Sequence, residues 1–590
     1  MFFTEYDPLT AQYVEEAAAK RVRPDGESSA CLSGLSFTAR LDGEFAPSKL
    51  AYEFLDGEIL RVTENDQVFT APYAAIELGR LVLCTHLIPG TSRGYHFILD
   101  RANNALTVFE TWFGITVPVG FDMTGKNPPK SYRDIPREVQ RQYYFGWADD
   151  GAHAQPKKHT TTNRMEGRGL HWAFDTGYEM LSFSPSVICS TIVELGQEKG
   201  GITMSDPTDY LRIDDRYYIF ARWEVEFGGK MWLEVLDFFD MQAIGVELGF
   251  EKDNSLTHRT HRASLTVTGD AAHLEKITDL GDDGKPFTRM RPGKGARYTY
   301  RPMDIDVPMP REEAYFHAKR AQRILADPSE NYMQSFYCLP RSAALVGKSF
   351  RVVPDRAKYA AAPWNGKDKD ETAWSYEILS ESRLRWRLGN GEWKEEKYAC
   401  FEVDPELYFL GHMVTDAEDF ATVAQAIDFR TGLTTTVRTG IGNWRSEWEA
   451  GANVAFGTLD APGVTPPFAR RHQFTDELLG CTFAWDYSPT MYSIHTYSAP
   501  ESLSWTIFMD NNGGGATWSS PGFFIKLRDG VYILNWIEER CNGSQGLVVI
   551  NRKIQHDSGF FYGVTHDGLR LETTGAYMRD LGKFDIKKYF

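Results

Sequence analysis

Cysteine is scarce in this chain. Seven occur in 590 residues, at 31, 84, 189, 338, 400, 481 and 541, and no two form a C-x-x-C pair. Sparse, odd-numbered cysteine predicts reduced thiols in a cytoplasmic protein and excludes a disulfide framework or a zinc knuckle. Positive charge is also short: 64 Lys and Arg face 81 Asp and Glu, a net charge of −17. That excludes a general nucleic-acid binder, which needs a basic footprint. No stretch of about 18 apolar residues exists, so no membrane span is expected. The opening residues carry Glu5 and Asp7 and no apolar core, so no secretory signal is expected. G-x-S-x-G, the phosphate-binding loop, the dinucleotide fingerprint and H-E-x-x-H are all missing. The expectation is therefore no cofactor and no metal. Aromatic residues, by contrast, are abundant at 14%, and hydrophobic residues make up 42%. The chain has ample material for packed cores, and at roughly 100–200 residues per domain it must hold several.

The strongest signal is internal repetition. Leu32-Ser-Gly34-Leu-Ser36-Phe37 returns as Leu345-Val-Gly347-Lys-Ser349-Phe350. Tyr52-Glu-Phe-Leu with Leu60-Arg61 returns as Tyr376-Glu-Ile-Leu with Leu384-Arg385. The strand around His86 matches the one around His412, and Gly169-Leu-His-Trp172-Ala-Phe174-Asp175 matches Gly480-Cys-Thr-Phe483-Ala-Trp485-Asp486. Asp214-Asp-Arg-Tyr-Tyr218 with Glu224 matches Asp529-Gly-Val-Tyr532 with Glu538. The offsets stay between about 308 and 328, which means a tandem duplication. Each half divides again, and all four units include a strand ending in Asp100, Asp237, Asp428 or Asn551.

Each unit is built of short alternating segments with turn residues between them. The fourth shows it best, with Asp529-Gly530 and Asn542-Gly543 turns between β-branched and aromatic runs. Even strand spacing predicts an all-β protein of antiparallel meanders that form barrels or sandwiches, and closure is favoured because an open meander leaves two sticky edges. The expected organisation is an N-terminal helical segment at 1–28 and barrels at 29–122, 167–275, 341–468 and 469–590. A linker or lid at 123–166 and a helix-bearing linker at 276–340 separate them. Connector helices are expected at 10–21 and 310–326, the latter from its proline start, early acids and late bases.

These motifs resemble the MoaF family, whose members pair an N-terminal and a C-terminal lipocalin-like barrel; this chain looks like two such pairs fused. The resemblance implies four lipocalin-like barrels. The family name points to molybdenum-cofactor biosynthesis, but the chain has neither a Gly-rich phosphate loop nor a Cys cluster. The strand Tyr532-x-x-x-Trp536-x-Glu538 also resembles phenolic acid decarboxylases, cofactor-free barrels in which the Glu of this strand does acid–base work. The resemblance implies that role for Glu538 and, by repetition, for Glu224. That family's arginine on an earlier strand has no counterpart in Leu503-Ser-Trp-Thr-Ile-Phe.

Lipocalin-like barrels hold ligands against alternate residues of each strand. Period two places Tyr218, Phe220, Arg222 and Glu224 on one face, and Tyr532, Leu534, Trp536 and Glu538 on another. If those faces are interior, each holds a carboxylate in an aromatic cup, where burial raises its pKa; the competing reading puts each Glu at a strand end in solvent. His258 and His566 follow on late strands as acid–base partners, unless each merely caps a turn. His86 and His412 occupy the corresponding strand of the odd units, where an isolated histidine also serves a core. Tyr218, Tyr532, Trp536, Trp223, Arg61 and Arg385 are candidate substrate-binding residues. Arg61 reads as interior, whereas Arg385 alternates with Arg383 and Arg387 on a charged face. His258 and His261 would face opposite sides of one strand, which argues against a shared metal.

The resulting expectation is a cofactor-independent lyase or isomerase acting on a small aromatic or enolisable substrate. The alternative is a small-molecule-binding or biosynthetic accessory protein without turnover. Partners would be the small ligand and, at most, a second copy as homodimer, with no nucleic acid and no membrane.

Overall fold

The computed structural model describes residues 23–114, 138–270, 337–355, 372–441 and 450–590, less short gaps within them, together with 16–17 and 324–325. The described chain is almost entirely antiparallel sheet, rolled into four up-and-down barrels. The second runs from Arg168–Phe174 to Leu256–Asp270, and those two strands pair to close it. The third closes between Ser349–Pro354 and Ala450–Asp460. The fourth closes between Cys481–Ser488 and Gly568–Lys583. The first counts nine strands because Gln67–Pro72 and Ala74–Leu78 are one strand broken at Pro72. Its counterpart in the third barrel, Lys394–Asp404, runs unbroken. Proline has no N–H to give to a ladder, so the sheet opens there.

The repeated Asp or Asn at a strand end has a local cause. Asp237 Oδ1 accepts the backbone N–H of Phe239 at 2.9 Å, and Asp428 Oδ1 accepts those of Arg430 and Thr431 at 2.9 Å. Asp100 and Asn551 do the same for Ala102 and Lys553. Four residues further on, Asn104, Met241, Gly432 and Gln555 all take positive φ. The acid side chain nucleates the turn and the left-handed residue completes it.

Within each half the two barrels pack outer face to outer face. Ile76, Leu83, Ile98, Ile219, Leu233 and Val246 belong to the apolar layer between the first pair. Phe401, Phe409, Ile533, Val549 and Phe560 do the same in the second pair. The halves meet through the second and fourth barrels, and there equivalent residues touch each other. Ser205 faces Ser519 at 2.8 Å and Thr191 bonds Ser504 at 2.6 Å. Contact between a residue and its own repeat is what a two-fold axis produces, so the duplicated halves are related as two subunits of a symmetric dimer would be.

Two expectations need correction. The stretch 123–166 contains the strand Glu138–Asp149, which pairs with Ala105–Gly114 and Ser36–Leu41 and completes the first barrel. Its alternation of Val139, Tyr143 and Phe145 against polar neighbours is a strand pattern, hidden by the Pro- and Lys-rich run before it. The end of the expected helix at 310–326 is also different: Ile324–Leu325 pairs parallel with Arg570–Leu571. The rest of that helix, and most of 10–21, lies outside the described residues, although Glu16 and Ala17 are helical. No helix among the described residues is long and apolar enough to cross a membrane. The described cysteines are all free thiols.

Candidate functional site

The second barrel differs from an ordinary hydrophobic core in what its inward residues carry. Trp172, Phe174, Tyr210, Tyr218, Phe220, Trp232 and Leu236 fill its lower and middle rows. The same inward parity on Tyr217–Trp223 continues to Arg222 and then Glu224, and on Met231–Asp237 it includes Glu234. Cross-strand register then brings chemistry together. Glu234 pairs with Gly245, and Gly245 pairs with His261. Gly245 has no side chain, so Glu234 and His261 reach across it and meet, Nε2 to Oε1, at 2.6 Å. A Cβ at Gly245 would collide with both. Phe174 and Trp232 flank the imidazole at 5.2 and 5.5 Å.

One row above, Arg222 lies 3.5 Å from Asp206, and neither is more than 1% exposed. The guanidinium also stacks over Trp232 at 4.9 Å, a favourable arrangement in a dry site. At the mouth, Glu247 pairs with Lys230 at 2.9 Å and with Arg259 at 2.6 Å. Burial alone would lower the Lys230 ammonium, but Glu247, Glu224 and Glu251 outweigh it and hold it above the ordinary lysine range.

Glu224 is partly buried at the end of its strand, with its backbone N–H on the Lys230 carbonyl at 2.8 Å. Burial pushes its carboxyl up to about 8; Asp206 adds to the rise, and Lys230 and Arg222 oppose it. The group is therefore mostly protonated at neutral pH. The buried polar atoms of the site without a hydrogen-bond partner among the described residues include His261 Nδ1 and Glu234 Oε2. Since Nε2 donates to the Glu234 carboxylate, a neutral imidazole leaves a lone pair on Nδ1. The arrangement offers a base held by a carboxylate, an acid, and a guanidinium for negative charge.

The structure sorts the expected residues. Tyr218, Arg222 and Glu224 do share the inward face. His258 does not join them: it has the opposite parity to His261, and its Nε2 bonds the Thr85 hydroxyl of the first barrel at 2.6 Å. His261, on the same strand, is the inward one, and its signal was the three-residue spacing that puts the pair on opposite faces. Trp223 also faces out, into the layer between the barrels, where Arg141 stacks on it at 4.4 Å. Arg61 is exposed and paired with Glu53 at 2.6 Å, because its neighbours Leu60 and Val62 hold the inward positions. Arg385 is likewise on the surface, paired with Glu377. Tyr532 and Trp536 line the fourth barrel, but the Tyr532 hydroxyl is held by Glu477 at 2.8 Å. The Glu538 side chain and all of His566 lie outside the described residues. His86 and His412 are fully buried in the first and third barrels, each pushed down to about 4 by burial. Glu234 escapes a sequence reading because its strand, Met231–Asp237, reads as an apolar run, and Asp206 because its strand, Ile202–Arg212, is polar along much of its length and holds Pro207. Among the described residues, no three His, Cys, Asp or Glu side chains converge as metal ligands.

Comparison with known proteins addresses the second half of the chain. Residues 332–443 match the family model of the MoaF N-terminal domain, and residues 472–583 that of the MoaF C-terminal domain. No curated protein matches. Among solved structures, the LG1–3 region of the laminin alpha2 chain aligns over 74% of this chain and 88% of that one. Its identity is 8% and its TM-score 0.09, too low to bear on fold.

Proposed function

This chain belongs to the MoaF family through the domain pair of its second half, and from that premise we propose that its second barrel is a cofactor-independent acid–base site. The reaction class is a lyase or isomerase step on a small aromatic or enolisable substrate. His261 Nδ1 takes a proton from the carbon beside a carbonyl, or from a phenolic hydroxyl, while Glu234 holds the imidazolium that forms. Negative charge then develops on the substrate oxygen, where Arg222 stabilises it. The Glu224 carboxyl returns a proton to another atom in an isomerisation, or to the leaving group in an elimination. The Nδ1 atom of His261, buried without a partner and backed by a carboxylate, supports this reading most.

Solvent deuterium incorporation into a panel of enolisable and phenolic compounds tests it. Wild type should exchange at least one compound, and Glu224→Gln and His261→Gln should each slow that exchange by about 10²–10⁴, the usual span of a general acid or base. Full activity in both folded variants overturns the mechanism. A second reading, ligand carriage without turnover, is favoured by the way Arg222, Lys230 and Arg259 already have carboxylate partners. It predicts a ligand recovered unchanged after long incubation, as judged by mass spectrometry.

A further inference from the structure

The first and third barrels place the same two polar residues in the same positions, Tyr52 with His86 and Tyr376 with His412. The third barrel satisfies its pair from within. Tyr376 OH meets His412 Nε2 at 3.2 Å, and Nδ1 donates to the Met413 carbonyl at 2.6 Å. Gln425 donates to the Tyr376 oxygen at 3.1 Å and is itself held by Thr436. Trp374 and Trp386 pack around the imidazole at 6.1 and 5.7 Å.

The first barrel has no such closure. Leu50 and Val62 stand where the third barrel has Trp374 and Trp386, and Phe97 stands where it has Gln425. Yet both ring nitrogens of His86 and the Tyr52 OH, on residues no more than 2% exposed, have no hydrogen-bond partner among the described residues. Their rings lie 5.8 Å apart, edge to face. Buried polar atoms are almost always satisfied, so something polar belongs between them. A hydroxyl fits: it donates to the unprotonated nitrogen of a neutral imidazole and accepts from the tyrosine. Tyr95 at 5.9 Å and Phe69 at 6.4 Å add aromatic wall around the imidazole.

The charges above this cup select further. Arg93 is shared between Glu64 and Glu110, which also accept the hydroxyls of Tyr95 and Tyr144. Two carboxylates for one guanidinium leave the rim negative, which disfavours an anionic ligand.

We propose that the first barrel holds a second binding site, separate from the charged lumen of the second, for a small uncharged aromatic ligand whose hydroxyl bridges Tyr52 and His86. Calorimetry on the full chain with phenol at neutral pH, and benzoate as the anionic comparator, tests this. Phenol should bind and benzoate should not bind at this site. Tyr52→Phe, which removes one oxygen, and His86→Phe should each weaken phenol at least tenfold, while Tyr376→Phe and His412→Phe leave it unchanged. The idea fails if phenol does not bind or if Tyr52→Phe binds it as well as wild type. It fails equally if a phenol-soaked crystal keeps a water between Tyr52 and His86, or shows binding at crystal concentration only.

Discussion

The second and fourth barrels occupy equivalent places in the two halves, yet their interiors have diverged. Where the second has Arg222 and Asp206, the fourth has Trp536 and Ser520; where it has Glu234 and His261, the fourth has Val548 and Thr574. Gly546 replaces Trp232, and the Trp536 ring lies directly over it. Trp485, Trp505, Trp518 and Trp536 are all buried in the fourth barrel. One of its histidines, His495, sits among Trp485, Trp536 and Tyr497 and is pushed down to about 3 by burial. The second barrel gives more of its interior to charged pairs and the fourth more to rings, although Asp557 and Glu572 are buried in the fourth as well. A duplicated fold keeps its stability if one copy packs well, which releases the other to hold groups that packing alone would reject.

The sharpest way to break this comparison is to unbalance the charged interior. Arg222→Met removes the guanidinium beside the buried Asp206 and should cost about 3–5 kcal/mol. Adding Asp206→Ser, the residue found in the fourth barrel, should recover much of that loss in urea unfolding. A smaller effect is expected at Gly245→Ala. Its new methyl meets the Glu234–His261 pair and should cost about 1–3 kcal/mol, with exchange activity falling further than stability does.

pH separates the barrels more gently. Glu224 in the second and Asp557 in the fourth are both raised to about 8, chiefly by burial, from ordinary values of 4.5 and 3.8. Below those ordinary values both folded and unfolded chains hold the protons. Between there and about 8 the folded chain binds more protons, so stability falls as pH rises. Glu224→Gln and Asp557→Asn should each flatten part of that decline in thermal melts. Of the two, Glu224→Gln alone should also slow exchange, by the factor given above. The smallest effect belongs to Arg61→Ala, an exposed pair worth at most about 1 kcal/mol, with no change in ligand binding.

Much of this architecture is legible in the sequence. Repetition gives the four units, alternation gives their strands, and the recurring Asp or Asn marks their turns. The inward face of Tyr218, Arg222 and Glu224 follows from period two alone. The misassignments share a cause. Arg61, Trp223 and His258 were placed without knowing which parity faces the lumen, and a one-residue change of parity reverses a side chain completely. In strands buried on both sides, such as Met231–Asp237, every position is covered, so hydrophobicity cannot tell lumen from interface. Only register reveals that Gly245 lets Glu234 and His261 meet, because that juxtaposition joins three strands.

Difference infrared spectroscopy across a pH titration examines the protonated acid directly. A carboxylic C=O band should persist at pH 7, titrate near 8, and lose one component in Glu224→Gln that Glu538→Gln retains. A wild-type spectrum identical to that of Glu224→Gln at pH 7, with this carboxyl ionising in the ordinary range near 4–5, would contradict the account of the second barrel.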